Sequence, residues 1–164
     1  MGKIKKFISC RLPKGSLWQA LKKTKKQIRE NPEDRVFKKI YRLNLKCYFH
    51  FGKNYHLMSY DESENVPKYL FHVTSKENFE EIMKSGLKNP KTGIVFLTDS
   101  VKYLRHFFNE KKDPVLLCVD TEKMLCEKYR FYQNSDYFWM WITEEIPPKF
   151  LRQGDFEKYR EYMI

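Results

Sequence analysis

The side chains whose types and spacing could do chemistry here are a histidine, a set of aromatic rings, and a few carboxylates and arginines. His72 closes the apolar run Leu70-Phe71-His72-Val73 and is followed by Thr74 and Ser75, which open a helical stretch. An imidazole at a strand end beside a helix N-terminus offers a hydrogen-bond donor to a hydroxyl, and the helix end favours a phosphate. The plainer alternative is a buried histidine satisfied by backbone. Phe96, Tyr103 and Phe107 could clamp a flat ring between aromatic faces, or all three could be core residues at strand and helix spacing. The acidic candidates are Asp136, Glu144 and Glu145, of which the adjacent pair before Pro147-Pro148 also reads as a solvated turn. Arg105 stands beside His106 on a helical stretch, either as a phosphate ligand or as a surface residue.

Other chemistry is disfavoured. Cys10, Cys47, Cys118 and Cys126 form no C-x-x-C pair, and His50, His56, His72 and His106 are not at zinc-ligand spacing beside them, so no metal site is expected. The basic start lacks the apolar run of a secretory signal, and no apolar stretch approaches ~18 residues. The expectation is a reduced, soluble, cytoplasmic protein. With 41% hydrophobic and 16% aromatic residues in 164, one main core can close, much of it from rings.

The elements that must position these groups follow from periodicity. Leu17, Trp18, Leu21 and Ile28 with intervening lysines predict a basic amphipathic helix from Leu17 to Glu30. Asn31 as N-cap and Pro32 at the first helical position predict a second helix from Pro32 to Arg42. Leu43, Leu45, Cys47, Phe49 and Phe51 alternate with polar residues and predict a strand, turned at Gly52-Lys53-Asn54 into another near Tyr55 to Tyr60. The polar stretch Asp61 to Pro67 marks a boundary between residues 1-66, a basic helical extension with a hairpin, and residues 67-164. Beyond it come a strand Lys68 to Val73, a helix Lys76 to Ser85 with Ser75 as N-cap and Gly86 as left-handed C-cap, and a strand Gly93 to Leu97. A helix from Ser100 to about Asn109, a strand Pro114 to Val119 and strands near Arg130 and Phe138 complete a mixed α/β pattern.

The net charge of +11 is unevenly placed: residues 1-46 hold 15 Lys and Arg against Glu30, Glu33 and Asp34, while the rest has 17 against 18. Such a block attracts polyanions, whether a nucleic acid (RNA or DNA), an acidic protein acceptor or anionic lipid, or else serves as a solubilising extension.

Four segments occur in a suggestive order: Leu70-Phe71-His72-Val73-Thr74-Ser75, then Val95-Phe96-Leu97-Thr98-Asp99-Ser100, then Pro114-Val115-Leu116-Leu117-Cys118-Val119-Asp120, then Trp141 to Leu151 with its Pro147-Pro148. Together they resemble the catalytic half of the RNA 2'-phosphotransferases and, more distantly, other members of the ADP-ribosyltransferase superfamily. The resemblance covers about half the chain and implies an α+β fold, a split antiparallel sheet with flanking helices whose cleft holds NAD. It implies that His72 contacts the ribose beside nicotinamide, with Val73, Thr74 and Ser75 meeting the nicotinamide through backbone. Phe96 and Thr98 on the next strand, with Tyr103, would line the ring, and Arg105 would grip phosphate. A carboxylate would stabilise the cationic sugar, Asp136 by position, with Glu145 the later candidate.

Three functions follow in order. The first is transfer of ADP-ribose from NAD to a nucleic acid or protein acceptor held by residues 1-46. The second is transfer of a 2'-phosphate from RNA to NAD, and the third a non-enzymatic module that binds ADP-ribose or nucleic acid.

Overall fold

The computed structural model describes residues 14–50 and 59–164, with side-chain environments from Trp18 to Lys46 and from Ser59 onward. The chain divides into two compact units, Met1–Tyr60 and Asp61–Ile164.

In the first unit, helix α1 (Lys14–Glu30) and helix α2 (Arg35–His50) are joined by a short turn. Leu21 of α1 packs against Tyr41 and Leu45 of α2, and Ala20, Val36, Phe37 and Ile40 are buried around them. The turn departs from expectation. Pro32 lies before the helix, and α2 is opened by Asp34, whose Oδ1 accepts from the Val36 amide at 2.9 Å. This is the usual N-cap geometry, in which a short acidic side chain satisfies an amide with no helical partner.

The strand expected at Leu43 to Phe51 is instead helical to His50, and the Gly52-Lys53-Asn54 turn lies outside the described residues. The reason is visible in Asn44, one of the polar residues that alternate with the apolar ones there, yet 0% exposed. It follows Val36, Phe37 and Ile40 at helical spacing. Extending an existing helix fixes one residue per hydrogen bond, whereas a new strand needs a partner.

The second unit is built on a seven-stranded antiparallel sheet in the order β1-β5-β6-β3-β2-β4-β7. The strands are β1 (Tyr60–Glu62), β2 (Tyr69–Ser75), β3 (Val95–Thr98), β4 (Pro114–Asp120), β5 (Tyr132–Asn134), β6 (Met140–Thr143) and β7 (Leu151–Gln153). Helices α3 (Lys76–Ser85), α4 (Val101–Glu110) and α5 (Thr121–Cys126) connect them. β7 was not foreseen, because three residues are too few to show an alternation. The segment Tyr137-Phe138-Trp139, read as strand, is the turn between β5 and β6.

The two middle joints of the sheet differ. β2 and β4 run in register from Tyr69 opposite Asp120 to Ser75 opposite Pro114. β2 and β3 share a single registered pair, Phe71 opposite Thr98. The sheet is therefore split between β2 and β3, as the resemblance implied.

Alternation along the strands sends residues to two cores. Leu70, Leu97, Leu117, Val119 and Trp141 face one side, where Phe79, Ile82 and Met83 of α3 pack on them. Phe71, Val73, Leu116 and Cys118 face the other, covered by Leu104, Phe107 and Phe108 of α4 and by Tyr159 near the C-terminal end. Each fully buried large apolar side chain contributes roughly 1.5–3 kcal/mol, so both cores stabilise the sheet.

Gly86 closes α3, but with φ 92° and ψ 167° rather than left-handed helical values. Its amide donates to the Ile82 carbonyl at 2.8 Å, and a Cβ there would lie 2.6 Å from the Ile146 carbonyl oxygen. Leu87 and Ile146 exchange amide bonds of 2.9 and 3.0 Å, which joins the end of α3 to the Glu145-Ile146-Pro147 segment. Only glycine fits so close an approach with a positive φ.

Candidate functional site

His72 lies on β2 one residue beyond the last pair with β3, where the sheet parts. Its ring reaches across the opening, and Nδ1 lies 2.9 Å from the Phe96 carbonyl oxygen of β3. A carbonyl can only accept, so Nδ1 carries the proton and donates. In the neutral ring Nε2 is then an acceptor, not the donor expected from its position. Burial pulls the His72 pKa below the ordinary imidazole value; the Phe96 carbonyl opposes this and nearby Lys111 adds to it. The residue as a whole remains partly exposed rather than sealed in the core. A neutral, oriented imidazole at the lip of the split can accept a hydrogen bond from a sugar hydroxyl.

Val73 is buried in the α4-side core and Thr74, next along the strand, is buried as well, so both present backbone more than side chain. Ser75 occupies the N-cap position of α3, but its hydroxyl makes no capping bond. The Lys76 amide already donates to the Asp113 carbonyl at 2.8 Å, and Glu77 sits in the first turn, so this helix start is less open to a phosphate than the sequence suggested.

Phe96 is partly exposed on β3, opposite Ile142 of β6. Thr98 is buried at the end of the strand and its Oγ1 accepts from the Ser100 amide at 3.0 Å. Tyr103 does not stand alone. Its ring stacks on Trp139 with centroids 3.9 Å apart and planes at 26°. Phe107 packs into the core under α4.

The charged candidates are dispersed among different partners. Arg105 is exposed, with its guanidinium 4.9 Å above the Phe156 ring. Asp136 is exposed in the β5–β6 turn, where its amide and that of Tyr137 both donate to Asn134 Oδ1 at 2.9 Å. Glu145 Oε2 lies 3.9 Å from Lys88 Nζ, both half exposed. Among the described residues neither of these carboxylates hydrogen-bonds to His72.

One group had no role in the sequence reading. Asp99, between Thr98 and Ser100, is 7% exposed and its Oδ1 has no hydrogen-bond partner. Burial raises its pKa to about 6. The Thr-Asp-Ser run resembled an ordinary helix start, which hid a buried carboxyl with one oxygen left unpartnered. A cysteine nucleophile is disfavoured at Cys118, which is buried with its thiol pushed up to about 11 by desolvation. No group of three or more His, Cys, Asp or Glu suited to a metal occurs among the described residues.

With this geometry in view, the comparisons with known proteins become decisive. Residues 19–144 match the model of the RNA 2'-phosphotransferase, Tpt1 / KptA family. The chain belongs to this family. The match begins at Gln19, so it takes in the basic helix pair that the motif resemblance had left out. Relatives named "Probable RNA 2'-phosphotransferase" include proteins of Fusobacterium nucleatum (30% identical over 87 residues, 52% of this chain and 48% of that protein) and Rhizobium johnstonii (29% over 89 residues, 54% and 47%). Another is from Thermococcus kodakarensis, 26% identical over 99 residues, covering 60% of this chain and 54% of that one. The chain thus spans about half the length of the curated relatives it matches. No helix among the described residues is long and apolar enough to cross a membrane.

Proposed function

We propose that this chain transfers a 2'-phosphate from RNA to NAD. Family membership reverses the order of the sequence readings, placing 2'-phosphotransfer ahead of ADP-ribosyl transfer to another acceptor. The observation that carries the proposal is the His72 ring, fixed across the split by its bond to the Phe96 carbonyl.

In this reaction an oxygen of the RNA 2'-phosphate would displace nicotinamide from the NAD sugar carbon, and the neighbouring sugar hydroxyl would then displace the RNA 2'-oxygen from phosphorus, giving 2'-hydroxyl RNA, nicotinamide and an ADP-ribose cyclic phosphate. The chain's part is to hold and polarise. His72 Nε2 accepts from the ribose hydroxyl beside the nicotinamide, and the backbone of Val73, Thr74 and Ser75 orients the amide of that ring. Phe96 offers its face to the ring. Asp136, on its braced turn, supplies negative charge to a sugar carbon that becomes cationic, and Arg105 supplies a phosphate contact. The basic surface of α1 and α2, with Lys22, Lys23, Lys25, Lys26 and Arg29, attracts the RNA backbone.

Incubation of a 2'-phosphorylated oligoribonucleotide with NAD should yield a 2'-hydroxyl product and nicotinamide together. His72→Ala should lower that yield by roughly 100-fold or more, the scale of a lost positioning group. Nicotinamide release without loss of the 2'-phosphate would instead select ADP-ribosyl transfer. Absence of both, with RNA binding intact, would select a binding module.

A further inference from the structure

The turn between β5 and β6 is built to hold aromatic rings outward. Asn134, itself buried, accepts from the amides of both Asp136 and Tyr137 at 2.9 Å. Gln133 Nε2 donates to the Phe138 carbonyl at 2.6 Å and pins the far side. These bonds fix a five-residue connection that an ordinary hairpin would fill with small polar residues. Here it carries Tyr137, Phe138 and Trp139.

Phe138 is 64% exposed. Trp139 is partly exposed and is backed on one side by Tyr103 in a parallel stack, with the Tyr137 ring 5.3 Å away at 47°. An indole supported from behind by a second ring is a rigid plate, and rigid plates lose little entropy when another flat ring lands on them. Position adds a further constraint. Trp139 directly precedes Met140, which pairs with Thr98 of β3, itself paired with Phe71 beside His72, so the plate lies two strands from β2, about 10 Å at the usual strand spacing. The plate is therefore beyond the opening at His72 but within reach of a nucleotide next to one that reacts there.

We infer that Trp139, backed by Tyr103 and flanked by Phe138, is a stacking platform for an unpaired base of the RNA acceptor. The inference rests on the RNA-phosphotransferase reading of the site and names which part of the RNA is held. Stacking on a plate of this kind is tolerant of base identity, because each base has a π face, and it requires a single strand.

The test uses the full chain carrying Trp18→Phe, which leaves Trp139 and the 2% exposed Trp141 as the emitting indoles. Titration with a short single-stranded oligoribonucleotide should quench the fluorescence. The same strand with abasic sites, a fully paired duplex and NAD alone should not. Trp139→Ala should weaken binding of the single strand by roughly 5-fold to 100-fold, as loss of a stacked base does, with Trp139→Tyr restoring most of it and the salt dependence unchanged. Phe138→Ala, at an exposed position that the fold does not need, should weaken it less.

Equal quenching by the abasic strand, unchanged affinity of Trp139→Ala, or an effect of that variant on self-association instead of on RNA would overturn the platform. If 2'-phosphate removal proceeds while base-dependent quenching is absent, this inference fails alone. If the quenching appears with no turnover of NAD, the catalytic reading fails and the platform stands.

Discussion

Two aspartates in the second unit stand at two successive strand-to-helix joints and meet opposite fates. Asp120 ends β4 and caps α5: its Oδ1 accepts from the Lys123 amide at 3.2 Å, and its Oδ2 lies 2.9 Å from Arg152 and 3.3 Å from Lys123 Nζ. Asp99 follows β3 and precedes α4, is equally buried, and its side chain caps nothing; Thr98 caps the Ser100 amide in its stead. A buried carboxylate with cationic and amide partners is structural. At Asp99 desolvation by burial outweighs the single hydrogen bond to its own backbone, so the charged form is disfavoured and the pKa is raised to about 6. The two joints lie on opposite sides of the split, Asp120 on the β2-β4-β7 half and Asp99 on the β1-β5-β6-β3 half.

The largest expected effect is at the satisfied site. Asp120→Ala removes a helix cap and two cationic partners at once, and should cost about 2–3 kcal/mol in denaturant unfolding at neutral pH. A cost under half a kcal/mol would erase the distinction between the two joints. Next comes Asp99→Asn, with the opposite sign. Because the folded pKa is about 6 against an ordinary 3.8, the folded state holds the proton more tightly, and stability from this group falls as pH rises from about 4 through 6. The variant should therefore be more stable than the parent above pH 6, by about 1–2 kcal/mol after solvent screening, and no more stable near pH 4. Arg152→Met leaves Asp120 its cap and Lys123, so about 1 kcal/mol is expected, in keeping with a half-exposed partner. Smallest is Ser75→Ala: a hydroxyl that makes no capping bond should change stability by less than about 0.5 kcal/mol.

His72 extends the comparison to a base. Its folded pKa lies below the ordinary value, so its contribution to stability is present above pH 6.5 and is lost as pH falls through the lowered value. Replacing His72 by Gln should flatten that acid limb in thermal unfolding, and a limb that persists would assign it to other groups.

Legibility in the sequence followed the length of the signal. Strands β2 and β4, helices α3 and α4, and the split sheet implied by the resemblance were readable because each motif runs over six or seven residues with caps or turns at its ends. The Leu43 to His50 segment misled because its alternation is also compatible with a helix, and only the buried Asn44 reveals which face packs. At the site, His72 and Phe96 could be named, but their joining through a ring nitrogen and a backbone carbonyl could not, since backbone partners leave no mark in residue types. Trp139 was passed over for a similar reason: a Tyr-Phe-Trp run reads as strand core until Asn134 and Gln133 are seen bracing it as a turn.

The account depends most on which nitrogen of His72 carries its proton, and nitrogen-detected magnetic resonance of the labelled imidazole reads this directly. At neutral pH the ring should be uncharged and protonated at Nδ1, and the Nε2 resonance should shift when NAD is added, with a smaller change at Nδ1. An Nε2-protonated or fully charged ring, or resonances indifferent to saturating NAD, would contradict it.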